Sequence, residues 1–138
     1  MKKKFLKVGV IGCGRVFDHY LKLFKKNKIP QMKLIACCDE KPIILRRKTQ
    51  ILGLRNYTKL SDMVKNEVLD LILILSPSGL HYQHTKYVLE RGINVLCEKP
   101  MSLKVSHCKK LISISRNKKL FYGVVFQNRL NKAIQFLK

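Results

Sequence analysis

The feature that most constrains this chain is a short apolar run that ends in two glycines. The run 8–11 has the composition of a buried strand, and Gly12 and Gly14 interrupt it before a helical pattern begins. A strand, a glycine turn and a helix in this order place backbone N–H groups and the positive end of a helix dipole where a phosphate can bind. Gly12 suits the tight turn, and Gly14 allows a close approach of a pyrophosphate.

One position departs from the G-x-G-x-x-G pattern that this stretch otherwise follows. Phe17 stands where a small residue normally lets the helix pack closely on the strand. The sequence therefore predicts either that the first helix tilts outward or that Phe17 points elsewhere. Two glycines of three are a weak signature by themselves, so the rest of the chain has to decide the interpretation.

Strand and helix patterns alternate along the whole chain. The segment 69–75 is apolar throughout, which indicates a strand buried on both faces of a sheet. Pro42 suits the first turn of a helix, Gly53 suits its end, and Ser102 or Ser106 suits the start of a later helix. Strands are predicted at 7–11, 32–38, 56–57, 69–75, 94–97 and 120–126, and helices at 16–26, 42–53, 61–65, 81–91, about 102–117 and 131–138. This rhythm predicts an α/β fold, a single-domain, doubly wound parallel sheet of the Rossmann type.

An acidic pair follows the second predicted strand. Asp39 lies 25 residues after Gly14, close to the place where a carboxylate binds the adenosine ribose in such folds. Asp39 and Glu40 together disfavour a 2′-phosphate, which favours NAD over NADP. Lys41, Arg46 and Arg47 are near enough in sequence to keep NADP open as the less favoured cofactor.

Composition narrows the classes of partner and compartment. Lys and Arg number 29 against 8 Asp and Glu, for a formal net charge of +21, which attracts polyanions such as nucleic acid. The lysines are spread over the whole chain and no nucleic-acid module is recognisable, so a generally lysine-rich surface is the favoured interpretation. The five cysteines are odd in number and scattered, as expected of reduced thiols in the cytoplasm.

Targeting and metal sites are disfavoured by local sequence. Lys7 interrupts the N-terminal apolar region too early for a signal peptide, and the run 71–75 is too short to span a bilayer. His81 and His84 stand three apart on a predicted helix, but no third ligand lies nearby in sequence, so no metal is expected.

Two loop motifs carry a family resemblance that covers essentially the whole chain. The sequence 76–81, Ser-Pro-Ser-Gly-Leu-His, follows the fourth predicted strand, and 98–100, Glu-Lys-Pro, follows the fifth. Together they resemble the paired signatures of the Gfo/Idh/MocA oxidoreductases. Within that family, 11–15 and 126–129 are most similar to the dehydrogenases that oxidise the 3-hydroxyl of UDP-N-acetylglucosaminuronic acid.

The resemblance implies roles for individual residues. Lys99 would be catalytic, placed beside the nicotinamide and the sugar, and its bond to Pro100 would be cis. Glu98 would fix the loop, His81 would pack or cap the following helix, and His19 would pack. The cofactor would be bound by Gly12, Gly14, Arg15, Val16, Asp39, Ser76, Pro77, Leu80, His81, Glu98, Lys99 and Gln127.

The resemblance also implies a domain organisation. Residues 1–126 would form an NAD(P)-binding Rossmann domain, and 127–138 would begin a truncated C-terminal substrate domain. The apolar residues Leu130, Ile134, Phe136 and Leu137 are then expected to be uncovered and to promote self-association. A separate C-terminal half or a second copy would be the protein partner, and a UDP-sugar the substrate.

Three interpretations of the function remain at this point. The first is the NAD-binding half of an oxidoreductase acting on the CH–OH group of a sugar or sugar nucleotide, as a fragment or a split protein. The second is a non-catalytic nucleotide-binding or interaction module. The third, which the motifs favour least, is a basic protein that binds nucleic acid.

Overall fold

The computed structural model describes residues 5–49 and 53–136, and in these ranges strands and helices alternate as predicted. The strands are β1 (Leu6–Ile11), β2 (Met32–Cys38), β3 (Arg55–Tyr57), β4 (Leu71–Ile74), β5 (Asn94–Cys97) and β6 (Tyr122–Val124). The helices are α1 (Arg15–Lys25), α2 (Pro42–Thr49), α3 (Leu60–Asn66), α4 (His81–Glu90), α5 (Val105–Asn117) and α6 (Lys132–Phe136). Single 3₁₀ turns at Ser78–Leu80 and Gln127–Leu130 precede α4 and α6.

The strands form one parallel sheet in the order β3-β2-β1-β4-β5-β6. The chain builds outward from β1 in one direction, returns, and builds outward from β4 in the other. This is the doubly wound Rossmann topology, so the predicted fold is confirmed. In such sheets the crevice at the carboxyl ends of the two central strands, here β1 and β4, is the place where ligands bind.

The core lies on both faces of the sheet, and β4 contributes to each. Leu71 and Leu73 pack on one face with side chains from β1, β2, α1 and α2. Ile72 and Ile74 pack on the other face with side chains from α3, α4 and α5. All four side chains are buried, as the unbroken apolar sequence predicts for a central parallel strand.

Phe17 lies in the core and has no exposed surface. It packs with Val8 and Val10 of β1 and with Leu21 of its own helix, on the same face of the sheet as α2. The position that is small in the usual pattern is therefore filled by an aromatic ring that serves as a core residue. The sequence left open whether α1 tilts outward or Phe17 points elsewhere. In the structure the Phe17 ring is buried in the core beside β1.

Several element boundaries differ from the sequence prediction. The sixth strand is confined to Tyr122–Val124, because the chain turns into a 3₁₀ helix at Gln127. Neither serine caps α5: the helix follows Lys104, which makes no side-chain cap, and Ser102 Oγ lies 3.4 Å from Lys104 N. The predicted end of α2, just before Gly53, falls on residues 50–52, which lie outside the described ranges. Leu137 also lies outside them.

The last described segment carries an apolar surface. Phe126, Leu130, Ile134 and Phe136 are all exposed, Leu130 to 81% and Phe136 to 90%. We call these four residues the C-terminal apolar patch. Among helices of the described residues, none has the length and apolar character needed to cross a membrane.

Candidate cofactor and substrate site

The first part of the site is the glycine loop between β1 and α1, which lies against the end of β4. Gly12 has a φ of +92°, a conformation that side chains disfavour. A Cβ at Gly12 would overlap the backbone nitrogen of Ser76 and lie 2.5 Å from the carbonyl carbon of Leu75. Glycine is thus required here for two reasons, the turn itself and the contact between two backbones.

Gly14 has a different role, because it opens the loop toward solvent. It is the N-cap of α1, has a φ of −71°, and no side chain among the described residues caps the helix. A Cβ at Gly14 would meet no atom within 4 Å, and the next two residues, Arg15 and Val16, are exposed. An uncapped helix N-terminus with free space before it fits a phosphate group. The observed loop is therefore suited to the pyrophosphate of a dinucleotide.

Asp39, at the end of β2, is bonded to the glycine loop. Its Oδ2 accepts a hydrogen bond from Cys13 N at 2.8 Å, and its Oδ1 accepts one from Lys41 N at 2.9 Å. A carboxylate has about four acceptor positions, so both oxygens keep capacity for a ribose hydroxyl. Lys48 secures the same region by donating to Gly14 O at 2.9 Å and pairing with Asp18 at 2.8 Å. The sequence pattern gave no signal for Lys48.

An open recess of about 540 Å³ lies at the start of α2, next to Asp39 in sequence. Glu40, Lys41, Pro42, Ile43 and Arg46 line it. The recess therefore contains both the carboxylate that disfavours a 2′-phosphate and the cations that would bind one. Glu40, Lys41 and Arg46 thus lie at one recess, and the preference for NAD over NADP stays a prediction.

The loop after β4 supplies the next predicted residues. Ser76 is buried and its Oγ lies 2.9 Å from His84 Nδ1, while Pro77 is exposed and Leu80 half-buried. Burial, and then the charge of His81, lower the pKa of His84. Pro77 and Leu80 therefore leave open surface on this loop, whereas the Ser76 hydroxyl is engaged with the helix that follows.

His81 is the first residue of α4 and is only 1% exposed. Its Nε2 lies 2.7 Å from Ser76 O and its Nδ1 lies 2.7 Å from Pro100 O. The ring therefore connects the loop after β4 with the loop after β5. It packs, as the resemblance implied, and it can act on a cofactor only through the backbone of these two loops.

The loop after β5 holds Glu98, Lys99 and Pro100. Glu98 Oε1 accepts a hydrogen bond from Tyr20 Oη at 2.9 Å, and Glu98 Oε2 lies 3.3 Å from Lys99 N. The Lys99–Pro100 bond is cis and Lys99 is exposed. Burial, followed by the hydrogen bond to Glu98, raises the pKa of Tyr20, so its hydroxyl remains a donor. Tyr20 was missed by sequence reasoning because its partner is 78 residues away.

A second recess, of about 330 Å³, begins at Lys99. It is lined by Lys99, Phe126, Gln127, Asn128, Arg129 and Ile134. The predicted residues Lys99 and Gln127 are therefore brought together, and Arg129 adds a cation to the same wall. The recess combines donors, acceptors and positive charge, which is the chemistry needed to bind a hydroxylated, anionic molecule.

Cys38 and Cys97, at the carboxyl ends of β2 and β5, are poorly suited to nucleophilic chemistry. Burial raises the pKa of Cys38 to about 12, and burial also raises that of Cys97 to about 12. Thiols with such values remain protonated near neutral pH and are poor nucleophiles.

Within 5–49 and 53–136, no group of three or more His, Cys, Asp or Glu side chains is arranged to hold a metal ion.

Known proteins share this sequence and fold. The family model for the "Oxidoreductase family, NAD-binding Rossmann fold" of the Gfo/Idh/MocA proteins matches residues 6–126. An uncharacterised oxidoreductase of Schizosaccharomyces pombe is 34% identical over 126 residues, which are 90% of this chain and 34% of the relative.

Two solved structures extend the comparison. The WlbA dehydrogenase of Chromobacterium violaceum, crystallised with NADH and UDP-GlcNAcA, is 28% identical with a TM-score of 0.92, covering 100% of this chain and 40% of that one. The scyllo-inositol dehydrogenase of Lactobacillus casei, with NAD(H) and scyllo-inositol, is 26% identical with a TM-score of 0.87, covering 97% and 40%.

This chain spans about a third to two fifths of the length of these relatives. The matched part includes the glycine loop, the loop after β4 and the Glu98–Pro100 loop. The chain belongs to the Gfo/Idh/MocA oxidoreductases, of which it forms the NAD-binding Rossmann domain.

Proposed function

We propose that this chain is the NAD-binding half of an oxidoreductase that acts on the CH–OH group of a sugar or sugar nucleotide. The observation that carries the proposal is the position of Lys99. It is exposed at the carboxyl edge of the sheet, its loop is bonded to α1 through Glu98, and it opens into the recess shared with Gln127 and Arg129.

The proposed cofactor contacts follow from the two sides of the crevice. The uncapped N-terminus of α1, with Gly14 before it, would bind the pyrophosphate through backbone N–H groups. Asp39 would accept from the adenosine ribose. Pro77 and Leu80 would line the far side of the cofactor. We propose NAD as the preferred form because Asp39 and Glu40 disfavour a 2′-phosphate.

The reaction class is hydride removal from an alcohol carbon. NAD, when bound, supplies the hydride acceptor. The amine of Lys99 would hydrogen-bond the reacting hydroxyl, orient its carbon and assist the departure of the hydroxyl proton. Glu98 would keep the Lys99 backbone in place, because its Oε1 accepts from Tyr20 Oη and its Oε2 faces Lys99 N.

The sugar-nucleotide assignment rests on one further feature. Asn128 and Arg129 lie in the wall of the Lys99 recess, where an amide and a guanidinium can bind the hydroxyls and the carboxylate or phosphates of such a substrate. The WlbA dehydrogenase that was crystallised with UDP-GlcNAcA matches the whole length of this chain. We therefore propose a UDP-sugar acid as the first substrate to test.

Turnover needs more than this recess. Hydride transfer requires the substrate to be held against the nicotinamide with water excluded, and the Lys99 recess is open. Each relative is more than twice as long as the region it shares with this chain. We propose that the chain alone binds NAD weakly, and that a second domain, in the same or another polypeptide, completes the pocket.

The experiment measures binding first and activity second. NAD and NADH are titrated into the purified chain by calorimetry. NADH production from NAD and UDP-GlcNAcA is then followed for the chain alone and for the chain joined to the C-terminal domain of a WlbA dehydrogenase. We expect binding by the chain alone, and turnover only in the joined protein.

Lys99→Ala tests the catalytic assignment, with Lys104→Ala as the matched control. Lys104 is exposed, lies five residues along the chain and does not line the recess. The proposal requires that Lys99→Ala abolishes turnover and Lys104→Ala does not. Turnover by the unjoined chain would refute the need for a second domain. Failure to bind NAD in any form would leave a non-catalytic module or nonspecific nucleic-acid binding, the latter recognised by a steep loss of affinity with salt.

A further inference from the structure

We infer that Tyr20 and His81 are positioning residues that hold the tripeptide Glu98–Lys99–Pro100 from its two ends. The inference rests on the proposed function of Lys99, which it deepens by assigning the groups that place this side chain. Neither residue needs to touch the substrate. Each acts through the backbone or the carboxylate of the loop that carries Lys99.

Tyr20 holds the first end of the tripeptide. Its hydroxyl donates to Glu98 Oε1 at 2.9 Å, and the second oxygen of the same carboxylate faces Lys99 N at 3.3 Å. Hydrogen bonds to an ionised carboxylate are stronger than those between neutral groups. Tyr20 stands on α1, the helix that begins at the glycine loop. The position of Lys99 is therefore linked to the helix whose N-terminus faces the pyrophosphate.

His81 holds the second end. Its Nδ1 lies 2.7 Å from Pro100 O, and Nε2 lies 2.7 Å from Ser76 O. Carbonyl oxygens only accept, so the link to Pro100 requires a proton on Nδ1, and donation to both oxygens requires one on each nitrogen.

Lys99 itself differs from its neighbours. Its side chain is exposed and makes no hydrogen bond or ion pair with the residues that the structure describes. The backbone on both sides of it is held, while the amine is free to meet a ligand. Because the loop is already held in place, little further ordering of its backbone is needed when the Lys99 amine binds a ligand.

The two contacts also join the three loops of the site. Tyr20 connects the glycine-loop helix to Glu98, and His81 connects the loop after β4 to Pro100. The glycine loop is joined to the loop after β4 because the backbone of Gly12 packs closely against Leu75 and Ser76. The spacing between the pyrophosphate loop and Lys99 is thus set by specific contacts.

Tyr20→Phe and His81→Gln test the inference in the full chain, with Tyr57→Phe as the matched control. Tyr57 donates to the carboxylate of Glu67 at 2.6 Å, so the control loses the same kind of hydrogen bond elsewhere in the fold. The readouts are amide hydrogen exchange across 97–101, the rate at which acetic anhydride labels Lys99, NADH affinity and the thermal midpoint.

We expect Tyr20→Phe to speed exchange in 97–101 about tenfold, the loss expected for one hydrogen bond to a charged group. His81→Gln should speed exchange in the same segment, and both variants should change the labelling rate of Lys99 and weaken NADH binding. Tyr57→Phe should lower the thermal midpoint and leave exchange and labelling at Lys99 unchanged. In the unmutated chain, nitrogen NMR of the His81 ring should show a proton on Nδ1.

Outcomes separate this inference from the proposed function. Unchanged exchange and labelling in Tyr20→Phe would overturn the role of Tyr20, even if the unmutated chain binds NADH. An unprotonated Nδ1 would likewise overturn the role of His81. Altered exchange in the variants supports the positioning even if the unmutated chain fails to bind NADH, a result that would instead refute the proposed function. Equal effects of all three variants would show a general loss of stability and overturn the inference.

Discussion

Asp39 closes the glycine loop: its Oδ2 accepts a hydrogen bond from the backbone nitrogen of Cys13, at 2.8 Å. The carboxylate that the sequence pattern associates with the ribose is therefore also a structural partner of the pyrophosphate loop. The second strand and the first loop are held together by this contact before any ligand binds. Loss of the carboxylate should consequently affect two parts of a dinucleotide.

Asp39→Ala should erase the preference for NAD over NADP and weaken binding of both. Asp39→Asn keeps an oxygen that can accept from Cys13 N but removes the charge, so it should lose the preference while retaining more of the affinity. Calorimetric titration with both nucleotides measures this, and Asp62→Asn on α3 serves as the control. Equal affinities for NAD and NADP in the unmutated chain would contradict the assignment.

Gly14→Ala should leave the fold intact and weaken NAD binding. Gly14 has an ordinary φ and an added methyl group would meet nothing within 4 Å, so the free energy of unfolding should change by less than about 1 kcal/mol. The methyl group would occupy the space proposed for the pyrophosphate. A variant that binds NAD normally would remove Gly14 from the site.

Gly12→Ala should instead destabilise the fold itself. The positive φ costs about 1–2 kcal/mol for a residue with a Cβ, and overlap with the backbone at Ser76 adds to it. Gly92→Ala has a φ of +79° without any atom within 4 Å, so it isolates the backbone term. Urea unfolding should show a clearly larger loss for Gly12→Ala. Similar losses in the two variants would mean that the loop relaxes away from β4.

The pKa of His84 predicts a loss of stability in mild acid. Burial, and then the charge of His81, lower this pKa below the ordinary value of 6.5. Because the folded state favours the neutral ring, its contribution is complete above 6.5 and is lost as the pH falls through the lower folded value. Urea midpoints between about pH 5 and 8 should fall on the acid side, and His84→Gln should flatten that slope. An unchanged slope in the variant would assign the effect elsewhere.

The C-terminal apolar patch should drive self-association of the isolated chain. Leu130 and Phe136 are the most exposed members, so replacing both by Asn should shift sedimentation velocity profiles toward the monomer. Val68 is 77% exposed outside the patch, and Val68→Asn should have no such effect. Joining a second domain should have the same result as the double substitution. A monomeric unmutated chain would contradict this prediction.

The elements that the sequence predicts well are those that repeat a local pattern. The apolar run around Leu71, the glycines of the first loop and the acid after β2 each follow a rule of composition or spacing. The sheet order follows from the alternation of strands and helices together with right-handed crossovers. Boundaries such as the early end of β6 depend on the turn at Gln127, for which the local residues carry no strong signal.

The contacts that complete the site join residues far apart in sequence. Tyr20 pairs with Glu98, and Lys48 bonds to the glycine loop, with no local pattern for either. Phe17 departs from the motif, and the sequence left open whether the helix tilts or the side chain points elsewhere; the ring packs in the core with side chains of β1 and α2. Tertiary packing decided these positions, and a single sequence contains little information about it.

The Tyr20–Glu98 hydrogen bond also has a consequence for the order in which parts of the domain fold during synthesis. Its partners are separated by 78 residues, and contacts of such long range form late because the intervening chain must first be ordered. A chain emerging from the ribosome presents β1, the glycine loop and α1 well before the fifth strand is synthesised. The Lys99 loop can therefore be aligned only after most of the domain has been translated.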